Sequence, residues 1–348
     1  MEKNKAEVRT LTVQPIVFTV IVAVYNAQRT IDRCLQSLLQ QTIDAFEVIC
    51  VDDCSTDNSL ERLTRYALGD SRIRVVALSK NSGPAHARNV ALSQARGQYV
   101  CFLDSDDWMS ADALQQAADC FARHDDTDCV LFRVVNVEED GRAHDYPMVA
   151  QRYDGRTAFI HSLTWTLHGC YAVRTALHKA TPYDETCRTY SDDNTTRMHY
   201  LRSRYVDCCQ GVYYYWQHAG SITHTQGLSR FDYLKATASM RRQIIEARQP
   251  DEIVQRYEAV RWLVVVDCFG YYCKHKGGWT RGERLRALAM LRAAWRDIHF
   301  NEIASRYKRK LGYRPFSASW CWFYVQERLY FFLKRLFRRL KPEERVQK

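Results

Sequence analysis

No two cysteines stand in C-x-x-C spacing, although the chain holds 13 of them. The ligand pattern of a structural zinc site is therefore missing, and an odd count forbids complete internal pairing. Several thiols fall inside apolar runs as small hydrophobic residues, among them Cys34, Cys50 and Cys101. A reducing compartment, the cytoplasm, is the expectation. Long apolar runs are also lacking. Met1–Gln14 is polar and charged, and no signal-peptide core follows it. Ile16–Val24 is interrupted by Thr19 and is far shorter than the ~20 residues that a membrane-spanning helix needs. There is no internal repeat and no low-complexity tract, and no Pro/Gly/Ser-rich linker breaks the chain. Apolar residues, by contrast, make up 46% of the 348, enough for one large α/β domain and a smaller appendage. Lys and Arg number 50 against 40 acidic residues, a net +10. That surplus suits nucleic acid, an anionic membrane or a phosphorylated ligand, and its location must choose among them.

Phe18–Val24 is apolar and β-branched, the mark of a buried strand. Ile31, Cys34, Leu35, Leu38 and Leu39 then share one helical face. Glu47–Asp52, Ile73–Leu78, Tyr99–Leu103 and Cys129–Val137 read as further strands. Helices are expected from Asn58 to about Ala67, after Gly83–Pro84, and from a Ser110 N-cap to Arg123. Alternating strands and helices of these lengths imply right-handed βαβ units and a mostly parallel sheet flanked by helices. Ligands of such sheets bind beyond the carboxyl ends of the strands. Tyr25–Asn26, Asp52–Asp53 and Asp104–Asp107 all lie at such ends, so the topology gathers onto one edge what the sequence scatters. Past about Phe231 strand signals give way to helical ones, and a boundary is expected near residue 228.

Five polar clusters are candidates for chemistry. Asp104-Ser105-Asp106-Asp107 follows an apolar strand, and three carboxylates this close repel one another. It reads either as a Mg²⁺ or Mn²⁺ site that also engages substrate phosphates, or as a solvated loop. Asp107 is the member expected to be structural. Val51 to Asp57 holds Asp52 and Asp53, which suit either a nucleobase N–H or a capped turn. In Asn81 to Asn89, Gly83 allows close backbone approach at an anion-attracting helix start, and Arg88 suits a phosphate or the acidic tetrad. Asp192-Asp193 offers a general base for a hydroxyl, or an ordinary acidic helix start. Tyr213 to Thr223 combines strand-like aromatics with His218 and Ser221, which suit a diphosphate, a metal or plain loop structure.

The order of these segments is more telling than any one of them. Val20–Asn26, Phe46–Asp57, Asn81–Gly83 with Ala87-Arg88-Asn89, then Gly97 with Phe102–Asp107, resembles the family 2 glycosyltransferases of the GT-A fold. Asp192-Asp193 stands where that family carries Glu-Asp, and Gly220–Thr223 after a Tyr-rich strand also fits. The resemblance spans residues 16–225 and implies an inverting transfer from a nucleotide sugar, with UDP favoured, to a glycan or lipid-linked acceptor of a bacterial cell surface. It also implies roles. Ala23 and Tyr25 flank the nucleotide, Asp53 reads the base N–H with support from Asp52, and Arg88 lies by the donor. Asp104 and Asp106 hold Mg²⁺ or Mn²⁺ on the diphosphate with Ser105 between them at the donor, while His218, Ser221 and Thr223 close over it. Asp193 is the base, and Asp192 is its rival for that role. Three positions depart from the family: Ala23 replaces a proline, Cys54 a glycine and Asp192 a glutamate.

The expected organisation is a flexible stretch over 1–15, a GT-A catalytic domain over 16–228, a helical region over 229–315 and a basic amphipathic helix over 316–348. On that last helix Leu329, Phe332, Leu333, Leu336, Phe337 and Leu340 share one face, and Arg328, Arg335, Arg338 and Arg339 lie largely off it. Such a helix rests on an anionic membrane or packs on the protein. The first choice places the chain at the inner face of the cell membrane. Nucleic acid is not an expected partner, because no binding motif accompanies the charge. Two rival readings remain: a nucleotidyltransferase, which would carry a Gly-rich phosphate loop where Tyr25-Asn26-Ala27 stands, and a non-catalytic nucleotide-sugar-binding subunit.

Overall fold

The structure is a computed structural model that describes residues 15–148, 150–218, 227–308 and 317–340. The expectation for 1–15 therefore falls, apart from Pro15, outside the described residues. The described chain forms two compact units. One comprises residues up to 158 together with 166–182 and 199–218; the other comprises 159–165, 183–198 and the chain from 219 onward.

The first unit is built on one large sheet. Its elements begin with β1 (Phe18–Val24), α1 (Ile31–Leu39), β2 (Phe46–Asp52), α2 (Ser59–Gly69), β3 (Ile73–Ala77), α3 (Pro84–Ser93) and β4 (Tyr99–Phe102). They continue with β5 (Trp108–Met109), α4 (Ala113–Arg123), β6 (Thr127–Glu138), β7 (Ala143–Asp145), β8 (Arg152–Asp154), α5 (Gly155–Ser162), β9 (Tyr171–Arg174), α6 (Thr175–Ala180), α7 (Ser191–Arg202) and β10 (Tyr205–Gln217), although α5 from Phe159 and α7 up to Met198 belong to the second unit. The sheet order is β3-β2-β1-β4-β9-β6-β10-β5, with β7 beside β6 and β8 beside β10. The β3-β2-β1-β4 half is parallel. Beyond it the sheet is mixed, because β9 runs antiparallel to both β4 and β6.

β1 and β2 are apolar throughout because both faces of this half are covered. Val20, Val22 and Val24 pack with Cys34, Leu35 and Leu38 of α1 on one side. Ile21 points the other way, to Ala87 and Ala91 of α3, as strand alternation requires. The chain steps outward from β1 to β3 and returns to β4 on the other side of β1. That reversal opens a crevice at the carboxyl ends of β1 and β4, where α/β sheets bind ligands. Close approach at the base of this half needs Gly97, whose N–H donates to Thr19 Oγ1 at 2.9 Å. A Cβ there would sit 2.4 Å from the Thr19 nitrogen.

The acidic loop after β4 differs locally from expectation. Trp108–Met109 forms β5, pairing with Tyr214 and Tyr213 of β10. Ser110 is therefore not the N-cap of α4. The helix starts at Ala113 after Asp112, and the Ser110 hydroxyl oxygen instead accepts the Val212 N–H at 3.0 Å, tying the loop to β10.

The second unit is helical after residue 227: α8 (Asp232–Glu246), α9 (Asp251–His275), α10 (Arg281–Arg296), the single turn α11 (Ser305–Lys308) and α12 (Trp320–Leu340). Its core gathers Phe231, Trp262, Phe269, Leu291 and Phe323. α12 packs one face on this core through Phe323 and Phe331, the latter lying over Gly270 of α9. A second face stays outside: Trp322, Val325, Leu329, Phe332 and Leu336 are exposed, spaced three and four apart along the helix. No described helix is long and apolar enough to cross a membrane.

Candidate active site

Three loops at the carboxyl ends of the parallel strands are laced together by short polar side chains. After β1, Asn26 takes a left-handed backbone, φ 51°, which Asn tolerates. Its N–H donates to Ser55 Oγ at 3.0 Å, and its Oδ1 accepts from the Thr56 N–H at 2.8 Å. Ala27 N–H donates to Ser59 Oγ at 2.8 Å, and Gln28 N–H to Asp57 Oδ2 at 3.1 Å. Cys54 is left-handed too, φ 61°. That explains why glycine suits the position and what its absence costs here, about 1–2 kcal/mol. Above this lacing the Tyr25 ring is 50% exposed, and Ala23 is half-buried at the end of β1.

Asp52 and Asp53 are both buried. Asp52 Oδ2 accepts from the Ser55 N–H at 3.0 Å, while its Oδ1 is buried without a hydrogen-bond partner. Asp53 grips the start of α3: one carboxylate oxygen accepts from Ser82 N–H and the other from Gly83 N–H, each at 2.7 Å. Gly83 supplies the φ of 93° that this turn needs. The backbone donors at the start of α3 are thus taken by a carboxylate of the chain itself. Each Asp53 oxygen keeps a second lone pair for a further donor.

From α3, Arg88 reaches the end of β4. It is buried, and its Nη2 donates to Asp104 Oδ1 at 2.6 Å. The acidic tetrad then divides. Asp107 turns inward, its two oxygens accepting from Tyr213 Oη–H and Trp216 N–H at 2.8 Å each. Burial, then the charges of Asp104 and Asp106, push its carboxyl well above the usual range. Asp104 and Asp106 are half-buried at the rim, as is Ser105 between them. Asp106 Oδ2 lies 2.8 Å from His218 Nε2, and the His218 ring stacks on Trp216 with centroids 4.3 Å apart. Arg33 of α1 holds the loop from beneath. Its Nη2 donates to Asp106 O at 2.6 Å, and its guanidinium lies 3.9 Å from the Trp108 ring and 4.6 Å from that of Trp216. The donor set at Asp104 and Asp106 is hard oxygen, partly open to solvent and crowded with like charge. It fits a Mg²⁺ or Mn²⁺ ion that keeps waters and shares phosphate oxygens. Ser221 and Thr223 lie outside the described residues.

Asp192 and Asp193 belong to the second unit, in the first turn of α7. The Asp193 carboxyl is raised to about 7. Burial is the main cause and Asp192 adds to it, while Arg197 one turn along and Arg230 pull the other way. Another acidic group of this unit, Glu258 with His299 and Glu302, brings one ligand atom from each within 4.8 Å of one another. It is an ion-pair cluster rather than a metal centre. Arg261 Nη1 lies 2.9 Å and Arg241 Nε 2.8 Å from Glu258, so a metal ion would meet two guanidiniums.

Residues 19–180 match the family model described as glycosyl transferase family 2. The chain carries a family 2 glycosyltransferase domain. The poly(ribitol-phosphate) β-N-acetylglucosaminyltransferase TarS of Staphylococcus aureus is 33% identical over 204 residues, which are 57% of this chain and 35% of TarS. The glycosyltransferase GlyG of Streptococcus pneumoniae is 27% identical over 222 residues, 60% of this chain and 73% of GlyG. The chain thus spans only about a third of TarS. Among solved structures, residues 1–349 of S. aureus TarS in complex with UDP-GlcNAc superpose with a TM-score of 0.67 at 22% identity, covering 93% of this chain and 92% of that one. The shared fold is GT-A.

Within the first unit the structure brings Asp104, Asp106, Arg88 and His218 to one rim, and Tyr25, Asp52 and Asp53 to the loops of the neighbouring strands. Sequence reasoning missed Arg33, Trp108, Tyr213 and Trp216 as parts of this rim. Tyr213 and Trp216 read as strand residues, which they are, while the short strand at Trp108 had no sequence signal. Arg33 sits on α1 between Ile31 and Cys34 of the buried face, a weak signal that a single sequence offers for many ordinary surface arginines.

Proposed function

We propose that the protein is an inverting glycosyltransferase that moves a sugar from a UDP-sugar to a glycan or lipid-linked acceptor during cell-surface polysaccharide synthesis. The observation that carries this is the rim at the end of β4, where the half-buried Asp104 and Asp106 pair with Arg88 and His218 while Asp107 is locked inward. Residues 16–228 form the catalytic domain of this reading, followed by a helical region over 229–315.

Tyr25 lies against the nucleobase, with Ala23 beside the nucleotide. Asp53, supported by Asp52, accepts the base N–H through the lone pairs left over from α3. Asp104 and Asp106 hold Mg²⁺ or Mn²⁺, which when bound neutralises charge on the departing diphosphate. Arg88 orients Asp104, and His218 orients Asp106; Ser105 lies at the donor, and the part of Ser221 and Thr223 rests on the family resemblance alone. Asp193 takes the acceptor hydroxyl proton as the new C–O bond forms and the bond to the diphosphate breaks on the opposite face. Its raised carboxyl suits a base working near neutral pH, and Asp192 is the alternative.

The exposed stripe of α12 supports a further part of the reading. Trp322, Val325, Leu329, Phe332 and Leu336 face outward, and the exposed Arg328, Lys334 and Arg335 accompany them on the same helix. That combination suits an anionic bilayer surface, at the inner face of the cell membrane.

The test is release of UDP from a panel of UDP-sugars, and of GDP from GDP-sugars, with Mn²⁺ or Mg²⁺. Metal-dependent release from at least one UDP-sugar is expected. Release from none, with or without a glycan extract as acceptor, overturns the enzymatic reading and leaves a binding subunit.

A further inference from the structure

Two large aromatic residues of the second unit have left-handed backbones: Trp165, φ 58°, and Tyr190, φ 65°. This conformation costs an L-residue about 1–2 kcal/mol and is an outlier for a bulky side chain. Strain of this kind persists where the surroundings impose it, and it clusters at functional sites.

Both residues border the Asp193–Arg197 turn of α7. The Arg197 guanidinium carbon lies 5.4 Å from the centre of the Trp165 ring. Tyr190 directly precedes α7; its ring packs on Tyr233 with centroids 4.7 Å apart, and its hydroxyl oxygen accepts from Arg230 Nη1 at 3.2 Å. Arg197 is 2% exposed, yet its Nη1 has no hydrogen-bond partner. A buried guanidinium nitrogen without an acceptor is expensive. Above it the Trp165 indole is 50% exposed. A tryptophan serving only as packing would bury that surface.

These features specify a ligand class. The exposed indole asks for a flat apolar face, and the Asp193 carboxyl, one helical turn before Arg197, asks for a hydroxyl. A pyranose ring satisfies both demands, with C–H bonds over one face and hydroxyls around its rim. An open-chain polyol offers hydroxyls but no fixed apolar face. We propose that Trp165, held against Arg197 and assisted by Tyr190, forms a stacking subsite for a pyranose ring of the acceptor, whose hydroxyl is presented to Asp193. This rests on the glycosyltransferase reading above, because the acceptor hydroxyl is Asp193's proton donor.

The test uses methyl N-acetyl-β-D-glucosaminide, methyl β-D-glucopyranoside and ribitol as probes on the full chain. Binding is read by ligand-detected saturation-transfer NMR, which needs no turnover. Both pyranosides should show transfer to their ring C–H protons, and ribitol should not. Trp165→Ala should abolish that signal, and Trp165→Phe should keep it, since phenylalanine restores an apolar ring face. In transfer assays Trp165→Ala should raise the acceptor KM at least tenfold, with the loss falling on acceptor KM rather than on UDP-sugar KM. Unchanged pyranoside binding in Trp165→Ala overturns the proposal. So does ribitol binding as well as the pyranosides, or equal loss in the Ala and Phe variants, which would mark a structural role. Pyranoside binding without UDP release from any UDP-sugar would instead sink the enzymatic reading and leave the subsite standing.

Discussion

Replacing Asp193 by Asn removes an ionisation that the fold makes costly. The carboxyl is raised from 3.8 to about 7, chiefly by burial. At about 1.4 kcal/mol per tenfold change in acidity, ionising it in the folded chain costs up to about 4 kcal/mol. The sign follows from linkage. Below 3.8 the group is protonated in folded and unfolded chains alike and imposes no penalty. Between 3.8 and about 7 the unfolded chain has released the proton while the folded chain keeps it, so wild-type stability falls as pH rises. Above about 7 both are ionised and the full penalty stands. Urea unfolding of wild type and Asp193→Asn at half-unit steps from pH 4 to 8 isolates this ionisation. The offset at pH 4 absorbs whatever the amide does to Arg197. The difference between the two proteins should then swing in favour of the variant across pH 4–7, by up to about 4 kcal/mol, and level off above 7. The same titration sets catalysis: the acid limb of transfer kcat/KM should have its midpoint near 7, and the variant should lose about 10²–10⁴-fold. A flat stability difference across that window would refute the buried-carboxyl reasoning. Full transfer activity in the variant would remove Asp193 as the base.

Asp106→Ala should weaken Mn²⁺-dependent UDP binding at least tenfold by calorimetry, and unchanged affinity would remove Asp106 from the metal site. Gly97→Ala places a Cβ 2.4 Å from the Thr19 nitrogen and 2.5 Å from the Phe18 carbonyl carbon. It should cost about 2–3 kcal/mol in urea unfolding, and a loss below 0.5 kcal/mol would mean that the two backbones separate easily. Leu329→Asp with Phe332→Asp removes two exposed apolar contacts, each worth about 2 kcal/mol when buried. Sedimentation with phosphatidylglycerol vesicles should fall at least tenfold, whereas equal wild-type binding to neutral vesicles would discard the electrostatic half of that reading.

The parallel half of the fold was legible because its signals are local. Phe18–Val24 matches β1, and the Ile31, Cys34, Leu35 and Leu38 stripe is the buried face of α1. The mixed half was less so. β9 and the two-residue β5 are short, and their pairing partners lie far along the chain. Ser110 illustrates the consequence: a serine before a helical stretch reads as a cap until a distant strand claims its oxygen.

The site divides along the same line. Strand-end position alone brought Tyr25, Asp52, Asp53 and Asp104–Asp107 together as candidates, because a parallel sheet puts every carboxyl end on one edge. Nothing in an Asp-Ser-Asp-Asp run says which carboxylate turns inward. That was decided by Tyr213 and Trp216, more than a hundred residues away. Likewise the acidic pattern after β2 did not show that Asp53 would grip the start of α3, nor did the helical stripe of α1 show that Arg33 would brace Asp106. Apolar periodicity and turn residues act between neighbours in sequence, so they belong to the sequence. Which carboxylate is buried, which arginine answers it and which thirst for a partner is left open depend on contacts made only once the sheet has closed.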